Sequence, residues 1–449
     1  MKKIRIGSGA GYGGDRLEPA LTLLSDGALD YLCLECLAER TIALAQKEKL
    51  KNPDKGYNHL LEYRMEKILP LAYKNKVKII SNMGAANSSG AIDAIYKIAD
   101  RLGLKGMKIV AVLGDDVSHL MPDFLEQDIL ESGEPLSTIK GKIISANAYL
   151  GIEGILKALQ AGADVIITGR VADPSLFLAP MVHEFGWSTA DYDKMGKGTL
   201  LGHLLECAGQ VTGGYYADPG KKEMPDLWNL GFPFVEVEEN GEAILSKVSG
   251  TGGIVNVATC TEQLLYEIHD PEKYITPDCT ANFSKVHFVQ KEKEVVDIQG
   301  GTGAKATNTY KVSVGYSNGY LGTGEISYGG PNAVERAKLA AEIVCERIKI
   351  QGIEVDSLEA VLIGVNALFH SSPDPKYPIH EVRLRIAAKT QHQADALKIA
   401  NEVEALYTNG PAGGGGATKG IEEIVSVASI LIPKTLVTTT LEIKQIPTA

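Results

Sequence analysis

Apolar strand-like runs alternate with amphipathic helical stretches along the first half of the chain. Short apolar runs occur at six places, residues 3–7, 29–35, 76–81, 108–113, 142–146 and 163–168. Helical periodicity is found in LLEYRMEKILPLAYK, SGAIDAIYKIADRLG, EGILKALQAGA and PSLFLAPMVHEFG. Because strands that alternate with helices usually run parallel, the pattern predicts an α/β fold with a mostly parallel sheet. Six strands are too few to close an eight-stranded barrel, so we expect an open sheet.

The pattern changes after about residue 222. GFPFVEVEENGEAILSK predicts a hairpin around Asn240-Gly241, and YKVSVGYSNGYLGTGEISYG predicts another around Asn318-Gly319. We also predict a long helix in ERAKLAAEIVCERIK, strands at 359–365 and 381–387, a helix at 391–407, a glycine run before a further helix in NGPAGGGGATKGIEEIV, and a last strand in TLVTTTLEI. The chain is thus expected to form a parallel α/β domain over residues 1–222, which carries the site, and a mixed α+β domain over residues 223–449.

Charge and composition narrow the class of protein. The formal net charge is −11 and no block of lysine or arginine stands out, so neither nucleic acid nor a membrane is an expected partner. The opening MKKIRIGSG runs into a strand without an apolar signal region. The six cysteines show no disulfide framework. We expect a cytoplasmic protein that forms a homo-oligomer.

The opening IRIGSGAGYGGDR resembles a dinucleotide-binding loop. Gly9 to Gly14 fit G-x-G-x-x-G, and Glu35 follows about twenty residues later, where a ribose would need a carboxylate. However, Asp15 places negative charge in the turn that should meet phosphate, and the strand is expected to end at Gly7, before the loop. An NAD(P)-linked oxidoreductase that uses this loop is therefore an alternative function.

Polar residues gather where the predicted parallel strands end, which is the edge at which open α/β sheets bind ligands. A crevice there would combine acids, amides, arginines and helix N-termini. It would suit a small anionic substrate held by Arg16, Arg170 and backbone N–H groups, while a carboxylate or histidine moves protons. We assign Asp15 and Asp115 as candidate catalytic residues. The candidate substrate-binding residues are Gly11, Gly13, Arg16, Asn82, Gly84, Asn87, Asp116, Arg170 and Asp173. Asn87 and Asp173 could instead simply cap helices.

A second group of polar residues lies in LGHLLECAGQVTGGYYADPG. His203, Glu206 and Gln210 share one helical face, ahead of a break at Thr212. Glu206 can orient His203 and raise its pKa, so the two are candidate catalytic residues, with Gln210 and Thr212 in contact with substrate. Alternatively, His203 only holds the helix against the second domain. No cofactor is firmly implied; aspartate pairs also bind Mg²⁺, so Mg²⁺ is possible, but no set of metal ligands is visible.

Several of these motifs occur together and in one order in a known family. The segments IRIGSGAGYGGDR, LDYLCLECLAERT, SNMGAANSSG, TGRVADPSL, HLLECAGQVTGGYYADPG and KVSVGYSNGYLGTGEISYGGP resemble the acyclic terpene utilisation family from residue 3 to about residue 445. The resemblance implies catabolism of branched small carboxylates or acyl-CoA. Some relatives carry an additional C-terminal domain, which implies that a separate small partner protein could serve this chain.

The favoured function is therefore a lyase or hydratase of a branched carboxylate or its CoA thioester, which uses acid–base residues without a redox cofactor. Two alternatives remain open: the NAD(P)-linked oxidoreductase, and a non-catalytic subunit of a catabolic complex.

Overall fold

The computed structural model describes residues 2–369 and 379–448. The strands are β1 (Lys3–Ala10), β2 (Tyr31–Leu34), β3 (Lys78–Ser81), β4 (Lys108–Leu113), β5 (Ile143–Ala148), β6 (Val165–Thr168), β7 (Pro233–Glu238), β8 (Ala243–Lys247), β9 (Tyr274–Ile275), β10 (Thr280–Asn282), β11 (His287–Glu292), β12 (Val295–Gln299), β13 (Thr302–Ala304), β14 (Thr309–Gly329), β15 (Ser357–Ile363), β16 (Glu381–Thr390), β17 (Gly414–Pro433) and β18 (Thr440–Gln445). The helices are α1 (Glu18–Asp26), α2 (Glu39–Lys51), α3 (Leu61–Asn75), α4 (Ser88–Arg101), α5 (Glu153–Gln160), α6 (Ser175–Phe185), α7 (Tyr192–Glu206), α8 (Val257–Leu265), α9 (Ala333–Ile350), α10 (Gln393–Glu404) and α11 (Leu406–Asn409).

The chain divides into two compact units. The first comprises Met1–Gly315 and Val427–Ala449, and the second comprises Tyr316–Ser426. The sequence predicted a boundary near residue 222 instead. The strands that follow that point, β7 and β8, extend the sheet that contains β1, because β7 pairs with β1 and β8 pairs with β7. The compact units therefore divide the chain at different positions from the predicted ones.

A ten-stranded sheet forms the centre of the first unit, in the order β11-β12-β8-β7-β1-β2-β3-β6-β4-β18. The run β1-β2-β3-β6-β4 is parallel, whereas β7 and β18 add to its two sides antiparallel. Helices α1, α3 and α4 bury one face of the parallel run in a core that includes Leu32 and Leu34. Cys33 points to the other face, where its Sγ donates to the carbonyl of Leu176 in α6. The predicted α/β fold is confirmed, with a mixed rather than a mostly parallel sheet overall.

Most predicted elements are found within a few residues of their predicted positions, but three predictions were wrong. First, β5 is a strand but does not join the ten-stranded sheet; it pairs with β14. Its alternate residues Ser145 and Asn147 are polar, and a strand covered by helices on both faces is normally apolar throughout.

Second, Asn318-Gly319 does not turn a hairpin, because β14 continues through it. Gly319 has a φ of +87°, and a Cβ there would lie 2.3 Å from the carbonyl oxygen of Thr390. The Asn-Gly pair therefore allows a close backbone approach within a strand, after which Tyr320 begins the antiparallel pairing with β16.

Third, the glycine run at 413–416 is not followed by a helix, because residues 414–416 already form the start of strand β17. The β-branched residues that follow favour extended backbone. The last predicted strand begins later, at Thr440, after a short 3₁₀ helix at Lys434–Leu436.

The second unit is a small α+β structure. Its elements follow in the order β14-α9-β15-β16-α10-β17, and its sheet has the order β15-β16-β14-β17. This is the split βαβ arrangement, in which β16 lies between β14 and β15 and is antiparallel to both. Apolar residues of α9 and α10 cover one face of the sheet.

Across residues 2–369 and 379–448, we find no helix with both the length and the apolar character that crossing a membrane would require.

Candidate functional site

A cavity of about 880 Å³ opens in the first unit where the parallel strands β1 and β2 end. Loops that follow strands β1, β2 and β6 form part of its wall, and the end of α7 forms another part. This is the edge at which ligands of open α/β sheets bind. The predicted site residues that line the cavity are Gly11, Gly13, Asp15, Arg16, Arg170, Asp173, His203, Glu206 and Gln210. Residues that the sequence did not assign to the site also line it, among them Glu35, Glu39, Tyr149, Cys207, Tyr266, Glu267 and Tyr274.

Two predicted residues lie directly behind the cavity wall. Asn82 donates from Nδ2 to Oε1 of Glu35 over 3.0 Å, and so holds a carboxyl group that does face the cavity. Asp115 accepts from Nδ2 of Asn147 at 3.0 Å and from the backbone N–H of Arg170 at 2.9 Å. Burial raises the pKa of Asp115 to about 6. Both residues support the wall rather than line the cavity.

Two further predicted residues, Asn87 and Gly84, lie outside the cavity lining. Asn87 caps α4, since its Oδ1 accepts from the backbone N–H of Gly90 at 3.1 Å. This agrees with the capping alternative considered for Asn87. Gly84 allows a close approach of backbone, because a Cβ there would lie 2.6 Å from the carbonyl oxygen of Thr168.

The remaining two, Asp116 and Thr212, are also absent from the lining. Asp116 accepts from the backbone N–H of Ser118 at 3.0 Å. Thr212 is buried and donates to the carbonyl of Gly231 over 2.7 Å. Each of these two side chains thus holds a backbone group in place by a hydrogen bond.

The glycine loop after β1 is occupied by the chain itself. β1 extends to Ala10, a few residues beyond its predicted end at Gly7. The backbone N–H of Gly11 donates to Oδ2 of Asp15 at 2.9 Å, and that of Arg16 donates to Oδ1 at 2.8 Å. A Cβ on Gly11 would lie 2.5 Å from the backbone of Cys207. The Asp15 carboxylate therefore accepts from N–H groups of the kind that a dinucleotide loop offers to pyrophosphate.

Gly11→Ala should lower the free energy of unfolding by about 1–3 kcal/mol, the usual cost of inserting a methyl group into a well-packed site. Urea unfolding of both proteins measures the change. Gly141→Ala is the matched control, because a Cβ at Gly141 would meet no atom within 4 Å. Equal effects of the two substitutions would show that the loop does not need the close approach.

Arg170 is engaged by the protein on several sides. Its Nη1 donates to the carbonyl of Leu37 at 2.7 Å and to Oδ1 of Asp173 at 2.9 Å. Its Nη2 lies 2.9 Å from Oε1 of Glu39, and the guanidinium is 4.5 Å from the centre of the Tyr149 ring. Two carboxylates thus compensate its charge. That Arg170 holds an anionic substrate remains a prediction, and its visible contacts orient the acids around it.

Arg16 differs from Arg170 in having no carboxylate partner. Its Nη1 donates to the carbonyls of Leu227 and Trp228, at 3.2 and 3.3 Å. It forms no ion pair with the part of the chain that the structure describes. Arg16 is therefore a cation at the cavity wall whose charge is available to a bound anion.

His203 and Glu206 form a buried pair at the end of α7. Nδ1 of His203 lies 2.8 Å from Oε1 of Glu206, and Nε2 lies 3.2 Å from the carbonyl oxygen of Leu264. A carbonyl only accepts hydrogen bonds, so Nε2 carries a proton. Burial disfavours the charged form of His203, but the Glu206 carboxylate outweighs it and the pKa of His203 is raised above its ordinary value. Burial also raises the pKa of Glu206 to about 7, against the opposing effect of His203.

In this pair, the atom without a hydrogen-bond partner in the described residues is an oxygen of the Glu206 carboxylate. Both ring nitrogens of His203 have partners, whereas Oε2 of Glu206 is buried and has no hydrogen-bond partner among residues 2–369 and 379–448. Glu206 also lines the cavity. His203 additionally stacks near Phe283 at a ring separation of 5.7 Å, so it joins α7 to the segments that follow it.

Glu35 is a cavity residue that sequence reasoning assigned to a different task. Its Oε1 accepts from the backbone N–H of Leu37 at 2.8 Å and from Nδ2 of Asn82. Burial, together with the neighbouring Asp173 carboxylate, raises the pKa of Glu35 to about 8. Its position immediately after β2 placed it among the polar residues at the predicted crevice, but the only role considered for it there was a contact with a ribose.

The side chains of the described residues provide no set of ligands for a metal ion. In the described residues, no group of three or more His, Cys, Asp or Glu side chains is arranged to hold a metal ion. Assistance by Mg²⁺ stays a prediction.

A family model places the chain among known proteins. The model described as acyclic terpene utilisation family protein AtuA matches residues 4–443, a range that includes the cavity residues named above. No curated protein and no solved structure matches the chain. The match covers nearly the whole sequence and confirms the resemblance seen in its motifs. The chain belongs to the acyclic terpene utilisation family.

Proposed function

We propose that this protein is a catabolic lyase or hydratase that acts on a small branched carboxylate or its CoA thioester, and that two carboxyl groups move the protons. The observation that carries the proposal is that Glu35 and Glu206 both line one cavity with pKa values raised to about 8 and about 7. Acid–base catalysts work best when their pKa values lie near the working pH. Membership of the family supports a role in acyclic terpene utilisation.

Glu206 is the proposed base. Its Oε2 has no partner in residues 2–369 and 379–448, and its Oε1 is held by His203. When Oε2 takes a proton, the charged imidazole keeps Oε1 in place and the buried pair carries one positive charge. This assigns proton transfer to Glu206 and positioning to His203, the reverse of the roles favoured by the sequence.

Glu35 is the proposed acid. With a pKa of about 8, Glu35 is mostly protonated at neutral pH. Its Oε1 accepts hydrogen bonds from Leu37 and Asn82, so Oε2 is the oxygen that carries the proton. In the hydration direction, Glu206 takes a proton from water while the water oxygen attacks the β-carbon of an α,β-unsaturated acid or thioester. The electron pair of the double bond moves to the α-carbon, which receives the proton of Glu35. One water is added in total, and transfer of a proton from Glu206 to Glu35 through solvent restores both groups.

The pH dependence of kcat/KM should be bell-shaped, because the proposed reaction needs Glu206 ionised and Glu35 protonated. Activity should fall below a pKa of about 7, as Glu206 gains a proton, and above a pKa of about 8, as Glu35 loses one. Initial rates measured across this range in constant ionic strength test this. A profile that rises steadily through pH 9 would contradict the assignment of Glu35 as the acid.

Arg16 is the proposed anchor for the substrate's anionic group. Arg16→Ala should raise KM by roughly 10- to 100-fold, the equivalent of a hydrogen bond to a charged group. The effect on kcat should be smaller, since the contact exists before and during the reaction. Arg40→Ala is the matched control, because Arg40 is exposed and does not line the cavity. Equal KM values for the two variants would remove Arg16 from the site.

Deuterium incorporation tests the proposed reaction directly. Isovalerate and its α,β-unsaturated and β-hydroxy derivatives, as free acids and as CoA thioesters, are incubated with the protein in D₂O and followed by NMR. We expect deuterium at the α-carbon, or interconversion of the unsaturated and hydroxy compounds, with the native protein and not with Glu206→Gln. Absence of both reactions across the panel would favour the non-catalytic subunit. Saturable NADH binding that Asp15→Ala strengthens would favour the oxidoreductase.

A further inference from the structure

We propose that the edge strand β15 of the second unit is the surface through which two copies of this chain associate, about a two-fold axis near Ala360. β15 is the outermost strand of its sheet, and no strand in the described residues pairs with its outer edge. An unpaired edge exposes a row of backbone N–H and C=O groups that can pair with another strand. Association here is independent of the proposed chemistry in the first unit.

The composition of β15 sets it apart from other sheet edges. Its sequence SLEAVLI contains one charged residue, Glu359. Exposed edges are normally protected by charges that discourage pairing. The strands at the other edges of the two large sheets each carry at least two charged residues: Lys291 and Glu292 in β11, Lys419, Glu422 and Glu423 in β17, and Glu442 and Lys444 in β18. β15 is the least protected edge among these.

An apolar recess adjoins this edge on the face of the sheet that α9 and α10 leave uncovered. It has a volume of about 680 Å³ and is lined by Val361, Ile363 and Ala387, together with Leu368 and Phe369. Leu368 and Phe369 are each 84% exposed, and Ile363 is 39% exposed. Large apolar side chains that project beside an apolar recess are typical of an interaction site.

The occupant that fits is a second copy of this chain. Two identical strands related by a two-fold axis pair antiparallel, and an isologous interface uses one patch twice. The axis at Ala360, the middle residue of β15, sets Glu359 opposite Val361 of the partner subunit. Val361 is in register with Arg385 on β16, so Glu359 approaches Arg385 of the partner subunit. Leu368 and Phe369 line the recess beside this edge, so this arrangement brings one apolar patch against its copy.

The charges on this patch are complementary under that symmetry. Glu359 is exposed and forms no ion pair with the described residues. Arg385 is 46% exposed at its side chain, and its nearest carboxylate is Glu325, with Nε–Oε1 at 3.8 Å. Each copy therefore offers one available carboxylate and one loosely held guanidinium, and the two-fold axis pairs them twice.

Sedimentation of the chain of residues 1–449 tests the proposal. We expect the native chain to be a dimer, and Phe369→Lys and Leu368→Lys each to weaken dimerisation on the order of 10- to 100-fold, as is usual for central apolar contacts. Leu50→Lys is the control, because Leu50 is 67% exposed on α2, in the first unit, and should not change the dimer. A monomeric native protein, or a dimer that both lysine variants leave unchanged, would overturn the proposal.

Charge reversal tests the two-fold arrangement. Glu359→Arg and Arg385→Glu should each weaken the dimer, and the double variant should recover it, because both new ion pairs then form across the axis. Thermal unfolding of each variant shows that the monomer is intact. A double variant weaker than either single one would contradict this arrangement.

Discussion

Glu206→Gln is expected to lower turnover by on the order of 10²–10⁴-fold, the usual contribution of a general acid or base. The amide keeps the size of the carboxyl group and can still contact Nδ1 of His203, but Oε2 is replaced by a group that cannot take a proton. The acid limb of the pH profile should disappear with the activity. Steady-state kinetics and circular dichroism of the purified variant measure the rate and the fold.

Glu267→Gln is the matched control for Glu206→Gln, because Glu267 lines the same cavity. It should retain most of the activity.

His203→Gln should lower turnover less than Glu206→Gln does. It should also lower the melting temperature, since it removes the contact with the carbonyl of Leu264. A His203→Gln variant that is stable and less active than Glu206→Gln would restore the histidine as the proton-transfer group.

Glu35→Gln should also lower turnover by roughly 10²–10⁴-fold, and it should change stability in a direction set by pH. The folded pKa of Glu35, about 8, lies above the ordinary value of 4.5. Ionisation of Glu35 therefore does not change the stability of the folded protein below the ordinary pKa of this group. The folded protein then loses stability as the pH rises through about 8. Gln carries no charge to bury, so the variant should be more stable than the native protein at pH 8, by about 1–3 kcal/mol once cavity water is allowed for.

Urea unfolding at pH 4 and pH 8 separates this effect from a loss of packing. The difference between Glu35→Gln and the native protein should vanish at pH 4 and favour the variant at pH 8. Glu267→Gln provides the control at both values. A variant that is less stable than the native protein at pH 8 would show that the carboxyl group is not held near neutrality by its surroundings.

The sequence was informative where side chains follow buried strands. Asp15, Arg16, Arg170 and Asp173 come after β1 and β6, and the cavity lies at that edge. The i, i+3 spacing of His203 and Glu206 also indicated that they share a helix face. These inferences rest on local periodicity, which one chain displays without any knowledge of tertiary structure.

What could not be predicted depends on contacts between distant segments. In the His203–Glu206 pair, only Oε2 of Glu206 lacks a hydrogen-bond partner within the described residues, because Nε2 of His203 is hydrogen-bonded to the carbonyl of Leu264 on α8. The raised pKa of Glu35 arises from burial and from Asp173, more than a hundred residues away. Asn318-Gly319 is typical of a hairpin, and only the structure shows that strand β14 continues through it to pair with β16.

The pairing of β18 with β4 has a consequence for how the protein is made. The last strand of the ten-stranded sheet comes from residues 440–445, while its neighbour β4 is complete by residue 113. During translation, β4 leaves the ribosome long before its antiparallel neighbour exists, and the second unit must be synthesised in between. A chain that stops early keeps an exposed apolar edge at β4, which is the kind of surface that chaperones and proteases recognise. The sheet can therefore be completed only after residues 440–445 have been synthesised.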